Sequence, residues 1–318
     1  MGAIRSDNVI THSDFQAHVN IMAIAILSRG KCGLSKCITH YLVAMAVADL
    51  LVVIIGVILN RVIGIYLPVS ALSITPVCRL KTVLVYASRN CSVWLTVAFT
   101  FDRCVVICCQ KLRTTYCTMK TAAVVVGTVF ALSYLQNIPW YFVLEPVYFI
   151  NNVPMYCGIK SSFYILATWI AFSWINHILT PCLAILLILL FNVLTVRHIL
   201  ASSRVRRALR GINSAEYNID PELESRKKSI ILLFSISGSF VMLWATYTVH
   251  HLYYRITTTY VYTGYNDPVF ILQESGHMLL LLSCCTNTCI YVVTQNKFRE
   301  EMKNVVKYLL ALIVKFVK

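Results

Sequence analysis

Six apolar runs, at about 38 to 60, 78 to 109, 120 to 144, 163 to 196, 229 to 254 and 268 to 293, are each long enough to cross a bilayer as a helix. From Cys78 to Arg103 alone a helix would reach roughly 38 Å at about 1.5 Å per residue. That exceeds the roughly 30 Å hydrocarbon thickness, so the two ends of this run belong at opposite membrane surfaces. With 58% hydrophobic and 13% charged residues and a mean hydropathy of +0.71, the 318-residue chain is too apolar for a soluble domain.

The net charge of +15 does not point to nucleic acid, because the basic residues fall between apolar runs rather than on one face or stripe. Arg29, Lys31 and Lys36, then Lys111, Arg113 and Lys120, then Arg204 to Arg210 with Arg226 to Lys228, then Lys297 to Lys318 occupy alternate connections on one side. That side is read as cytoplasmic, which puts the N-terminus outside.

A seventh run, around Val19 to Leu27, has about half the length of a span. Residues 1–18 hold neither a signal peptide nor a span, so the expected division is an atypical extracellular N-terminus at 1–18, a transmembrane bundle at 19–294, and an amphipathic interfacial helix with a short tail at 295–318. Either the bundle begins with a half-helix, or residues 1–18 come from an incomplete gene model or alternative first exon; the second is favoured. The fold class expected is all-α, a seven-transmembrane helix bundle with an apparently truncated first helix.

Of thirteen cysteines, only Cys78 and Cys157 lie near the outer surface on this topology. They form either a disulfide pinning the second outer loop to the third span or two free thiols. The glycosylation match at Asn90-Cys91-Ser92 falls inside the third span and is discounted. The chain carries no His-Glu-x-x-His, Gly-rich phosphate loop or nucleophile elbow, so an enzyme is not expected.

Several residues together resemble the rhodopsin-like (class A) G-protein-coupled receptors over about residues 19 to 304. They are Cys78 opening the third span and Asp102-Arg103-Cys104 closing it, Leu42 to Asp49 in the second, Pro181 in the fifth, Trp244 in the sixth, and Asn287-Thr288-Cys289-Ile290-Tyr291 then Phe298 at the end of the seventh. Leu243-Trp244-Ala245 and a seventh-span motif without proline look like the orphan receptors that respond to aromatic amino acids and short peptides. Departures are Thr246 and Thr288 where the family has prolines, and Val129 where it has a central Trp in the fourth span, Trp140 lying further out. Both proline-free spans are expected to be straighter, or bent by a Thr bonding back to a carbonyl.

The resemblance implies roles. Asp49, an ionisable group in an apolar span, would share a polar pocket with Ser92, Asn287 and Asn20 that holds a sodium ion, the only cofactor expected; a protonated carboxyl bonded to Asn287 without an ion stays open. Arg103 would pair with Asp102 at rest and meet a heterotrimeric G protein when active, unless it merely snorkels to the headgroups. Arg226 cannot reinforce that pair, which implies basal signalling. Phe240 and Trp244 would form an aromatic switch, with Asn287 and Tyr291 completing the activation set.

The ligand-binding residues implied are Tyr86, Arg89, Asn90, Trp174, His177, Tyr247, His251, Glu274 and His277, with Val85 and His250 also facing inward. Val85 in place of an acid disfavours a biogenic amine. Arg89, a permanent cation within the membrane, either pairs internally with Glu274 or a carbonyl, or holds a ligand carboxylate while Tyr86, Trp174 and Tyr247 stack on an aromatic group. The function expected is a plasma-membrane receptor that takes an extracellular small molecule or peptide. The alternatives are an ion or solute transporter or channel with a midplane site at Asp49, and a truncated, non-signalling product.

Overall fold

A computed structural model describes residues 2–109, 116–210, 221–257, 264 and 266–317. The long helices are α1 (Gly2–Ser28), α2 (Lys36–Leu51, running on into a π-helical stretch Val52–Val62), α3 (Thr75–Cys108) and α4 (Met119–Asn137). Next come α5 (Ala167–Trp174, a π-helical turn Ile175–Leu179, then Thr180–Arg210), α6 (Pro221–Thr257), α7 (Pro268–Thr294) and α8 (Asn296–Val317). Among the described residues, α2 to α7 supply six helices long and apolar enough to cross a membrane. Their exposed faces, with Leu186, Leu190, Val193, Met242 and Val249, are apolar, as suits hydrocarbon rather than water.

Local chemistry starts these helices. Ser35 caps α2 by accepting from the Ile38 N–H, Thr118 caps α4 through Thr121, and Asp267 caps α7 through Val269 with Pro268 behind it. The third helix is the axis of the bundle: it packs on α2, α4, α5 and α6 and is buried at intervals from Thr75 to Cys104.

The helix α1 runs through residue 18 without a break, so the boundary expected there falls inside a helix. Gln16 and Asn20 are buried on its inward face, donating to the Leu281 and Cys284 carbonyls of α7 at 2.9 Å each. Beyond α7, Phe298 of α8 is fully buried with its ring edge-on to Tyr291 at 5.8 Å, which tethers α8 to the bundle.

Among the described residues, strands are confined to the connection between α4 and α5, where two antiparallel pairs nest: β1 (Leu144–Glu145) with β4 (Gly158–Ile159), and β2 (Tyr148–Ile150) with β3 (Val153–Met155). Asn151 and Asn152 turn the inner hairpin at φ 48° and 61°, the left-handed pair that a two-residue loop requires. Cys157, between β3 and β4, is bonded to Cys78 at the start of α3 with the Cα atoms 6.0 Å apart. Thr75 Oγ1 donates to the Tyr156 carbonyl at 2.7 Å, seating the hairpin on the same end of α3.

Candidate functional site

Three polar levels follow one another along α3. At the disulfide end, Tyr86, Arg89, Asn90, Asn176, His177 and Tyr247 line a cavity, with Trp244 and Val93 beneath. Tyr86 is stacked on Trp140 with centroids 4.4 Å apart and planes 12° apart. The Arg89 guanidinium lies 5.6 Å from the Tyr86 ring centroid, and its Nε has no hydrogen-bond partner. His177 Nδ1 is hydrogen-bonded to the Tyr247 hydroxyl at 3.2 Å. His251 stacks on His177 at 4.6 Å, and His277 meets Tyr247 edge-on at 5.7 Å. The space left is about 20 Å³, room for one water, so this conformation is closed to any larger molecule.

Four of the expected ligand residues, Trp174, His251, Glu274 and His277, stand outside the cavity lining, the two histidines packing behind His177 and Tyr247. Trp174 is 39% exposed on the outside of α5, while Ser173 beside it is fully buried. The π-helical turn at Ile175–Leu179 adds roughly one residue to the helix between Trp174 and Pro181, which rotates everything above it. Glu274 does not line the cavity. Trp140 stacks on Tyr86 from behind the lining, and Asn176, held by Gln136 at 3.2 Å, joins the lining. No sequence signal marked either residue. The β-hairpin was likewise not expected, and the signal that could have found it is Asn151-Asn152, two residues that tolerate positive φ, after Tyr148-Phe149-Ile150.

At mid-depth Asp49 is 1% exposed. Its Oδ1 accepts from Ser92 Oγ at 2.6 Å and its Oδ2 from Asn287 Nδ2 at 3.0 Å. Asn20, expected in the same pocket, bonds to α7 and α1 carbonyls instead. The donor set suits a hard cation: a carboxylate, the Ser92 hydroxyl, and one turn above it on the same face of α3 the buried Ser88 hydroxyl, which has no partner in the protein. Phe240 and Trp244 are stacked with centroids 5.3 Å apart, and Trp244 meets Tyr247 edge-on at 5.8 Å. Thr288 Oγ1 and the Tyr291 hydroxyl are buried without partners, so Thr288 does not bond back to a carbonyl; Thr248, which donates to the Trp244 carbonyl at 2.9 Å, does.

At the far end Asp102 and Arg103 are 1% and 3% exposed, and Asp102 Oδ2 accepts from both Nε and Nη2 of Arg103. The pair is therefore buried in protein, not snorkelled. Asp102 Oδ1 accepts from Cys37 Sγ at 3.6 Å, and Arg103 Nη2 also reaches Cys117 Sγ at 3.6 Å. The neighbouring Cys37 thiol first, and the Arg103 guanidinium with it, hold the Cys117 thiol below its ordinary value. The Arg226 side chain lies outside the described residues.

Helices of this length and polarity, gathered on a central α3 that carries a buried carboxylate–asparagine link beside it and an Asp–Arg pair at one end, define a multi-pass membrane helix bundle with its polar groups on the inside. Residues 19–291 match the family described as 7 transmembrane receptor (rhodopsin family), and the chain belongs to that family. It is 23% identical over 293 residues to a human protein, G-protein coupled receptor 39, a match that takes in 84% of this chain and 64% of that relative's length. The chain thus spans under two thirds of the relative. The family is one of receptors rather than transporters, and its members are multi-pass membrane proteins, as the six spanning helices of this chain require.

Proposed function

We propose that this receptor, with its N-terminus and disulfide-linked hairpin outside, takes a small ligand carrying a carboxylate and an aromatic group, and that the ligand drives activation of a heterotrimeric G protein. Arg89 is the observation that carries this. It is a permanent cation over Tyr86 with its Nε unpartnered, facing a cavity walled by Tyr86, His177, Trp244 and Tyr247. A ligand carboxylate satisfies that donor, and an aromatic amino acid or short peptide finds faces to stack on.

Because the cavity holds about one water, the ligand selects a more open arrangement rather than filling this one. Opening shifts Tyr247, which touches Trp244, which stacks on Phe240 along α6. The resulting outward movement of α6 frees Arg103 from Asp102 for the G protein. A sodium ion held by Asp49, Ser92 and Ser88 would favour the closed state by adding charge balance at the α2–α3–α7 junction.

The test is second-messenger response in cells given aromatic amino acids and short peptides, comparing the native chain with Arg89→Ala at matched surface level. The expected result is response to a carboxylate ligand that is lost in Arg89→Ala and regained in part by Arg89→Lys. Unchanged potency in Arg89→Ala overturns the ligand assignment. No G-protein activation by the native chain under any ligand, or when unliganded, favours a non-signalling product.

A further inference from the structure

The Asp102 carboxylate faces two ways, and only one side of it serves Arg103. Oδ2 takes both guanidinium bonds, while Oδ1 is turned toward Cys37 Sγ at 3.6 Å. Cys117 completes a cluster in which one ligand atom from each of Cys37, Asp102 and Cys117 lies within 4.8 Å of the others. The three come from separate elements: Cys37 from the first turn of α2, Asp102 from the end of α3, and Cys117 from just ahead of the Thr118 cap of α4. Cys37 and Asp102 are buried, and Cys117 is half-buried.

We infer that Cys37, Asp102 and Cys117 form a zinc site at the Arg103 end of the bundle. A tetrahedral zinc with bonds of about 2.3 Å to sulfur and about 2.0 Å to oxygen has sulfur–oxygen edges of about 3.5 Å. The Cys37–Asp102 separation of 3.6 Å already has that length. Two sulfurs with one carboxylate select zinc over magnesium or calcium, which take all-oxygen sites. Binding exchanges two thiol protons for one divalent ion. The two thiolates and the carboxylate are then balanced by the ion and Arg103, so the buried cluster is neutral with the metal as it is without it. Arg103 keeps Oδ2 and orients the carboxylate from behind, the arrangement in which ligating carboxylates are usually held. The fourth position is left to water.

Zinc there ties α2, α3 and the segment ahead of α4 together around the Asp102–Arg103 pair. Its effect on signalling rests on the receptor reading above, whereas its binding does not.

The experiment uses the full chain in detergent, reduced and freed of metal, titrated with zinc against a chromophoric chelator and separately with cobalt. The expected result is one equivalent bound at Cys37 and Cys117, with thiolate-to-cobalt charge-transfer absorption. Cys37→Ser and Cys117→Ser should each weaken that binding by more than about 100-fold, the upper end of what losing even a supporting residue costs. Cys108→Ser, a change outside the cluster, should leave it in place. In the native chain zinc should also slow alkylation of Cys117, read by peptide mass spectrometry, which stands independently of whether the serine variants fold. Equal zinc stoichiometry and cobalt spectra in the native and both serine chains overturns the site. So does a Cys37–Cys117 disulfide with no metal uptake after its reduction, or alkylation of Cys117 that zinc does not slow.

Discussion

Asn287 Nδ2 donates to Asp49 Oδ2 at 3.0 Å, joining α7 to α2 across 238 positions of sequence, while Ser92 holds the other oxygen from α3. Removing one partner of a buried bond strands the other, so Asn287→Ala should cost about 1–3 kcal/mol and lower the thermal unfolding midpoint of the purified receptor. If sodium occupies the pocket, it should raise the midpoint of the native chain over a potassium control, and Asp49→Asn should abolish that increment. An increment that survives Asp49→Asn places the ion elsewhere.

Beside Tyr247 of the ligand cavity, α6 and α7 approach closely. A Cβ built on Gly276 would stand 3.0 Å from the Cα and 3.2 Å from the N of Tyr247, backbone atoms that cannot turn aside. Gly276→Ala should therefore part the two helices at about 1–3 kcal/mol. A lower unfolding midpoint and reduced surface level are expected. A midpoint equal to the native one would mean that the helices separate freely.

Trp140 is 2% exposed and meets Tyr86, Phe163, Phe172 and His177. Trp140→Ala should cost about 3–5 kcal/mol through the void it leaves. Trp140→Phe should retain most of the stability, because the stack on Tyr86 needs a ring rather than an indole N–H, which has no partner here. Thermal unfolding of the two variants side by side checks the order.

Cys157→Ser opens the link from the hairpin to α3, a bridge spanning 79 residues. A loss of about 2–4 kcal/mol is typical for such a cross-link. The more specific expectation is local: protease cleavage should rise at the Tyr148–Met155 hairpin before the helices unfold, because the β pairs are short and depend on their anchorage. Simultaneous loss of hairpin and helices would argue against local anchorage.

How far the sequence reaches is clearest at Asp49, Trp140 and Trp174. Asp49 stands out in an apolar run because an ionisable group there is costly wherever the helices go, and its motif places it against Asn287 and Ser92, as the structure has it. Trp140 and Trp174 carry no such mark. Both are apolar residues in apolar segments, and whether such a residue packs inside the bundle, as Trp140 does, or turns outward, as Trp174 does, depends on helix rotation.

Hydropathy and loop charge by themselves determined the membrane spans and their alternation, because transfer of a side chain into hydrocarbon is a local cost paid at each position. The pairing of Asp102 with Arg103 came from the family resemblance, and the two being adjacent in the chain it needs no contact between distant segments. Only the tertiary structure decided that the π-helical turn at Ile175–Leu179 sends Trp174 outward, that α1 continues through residue 18 and bonds to α7, and that Cys37 and Cys117 converge on Asp102. Those outcomes depend on helix phase and on contacts between distant segments, and an apolar run has nearly the same transfer energy whichever way it is turned.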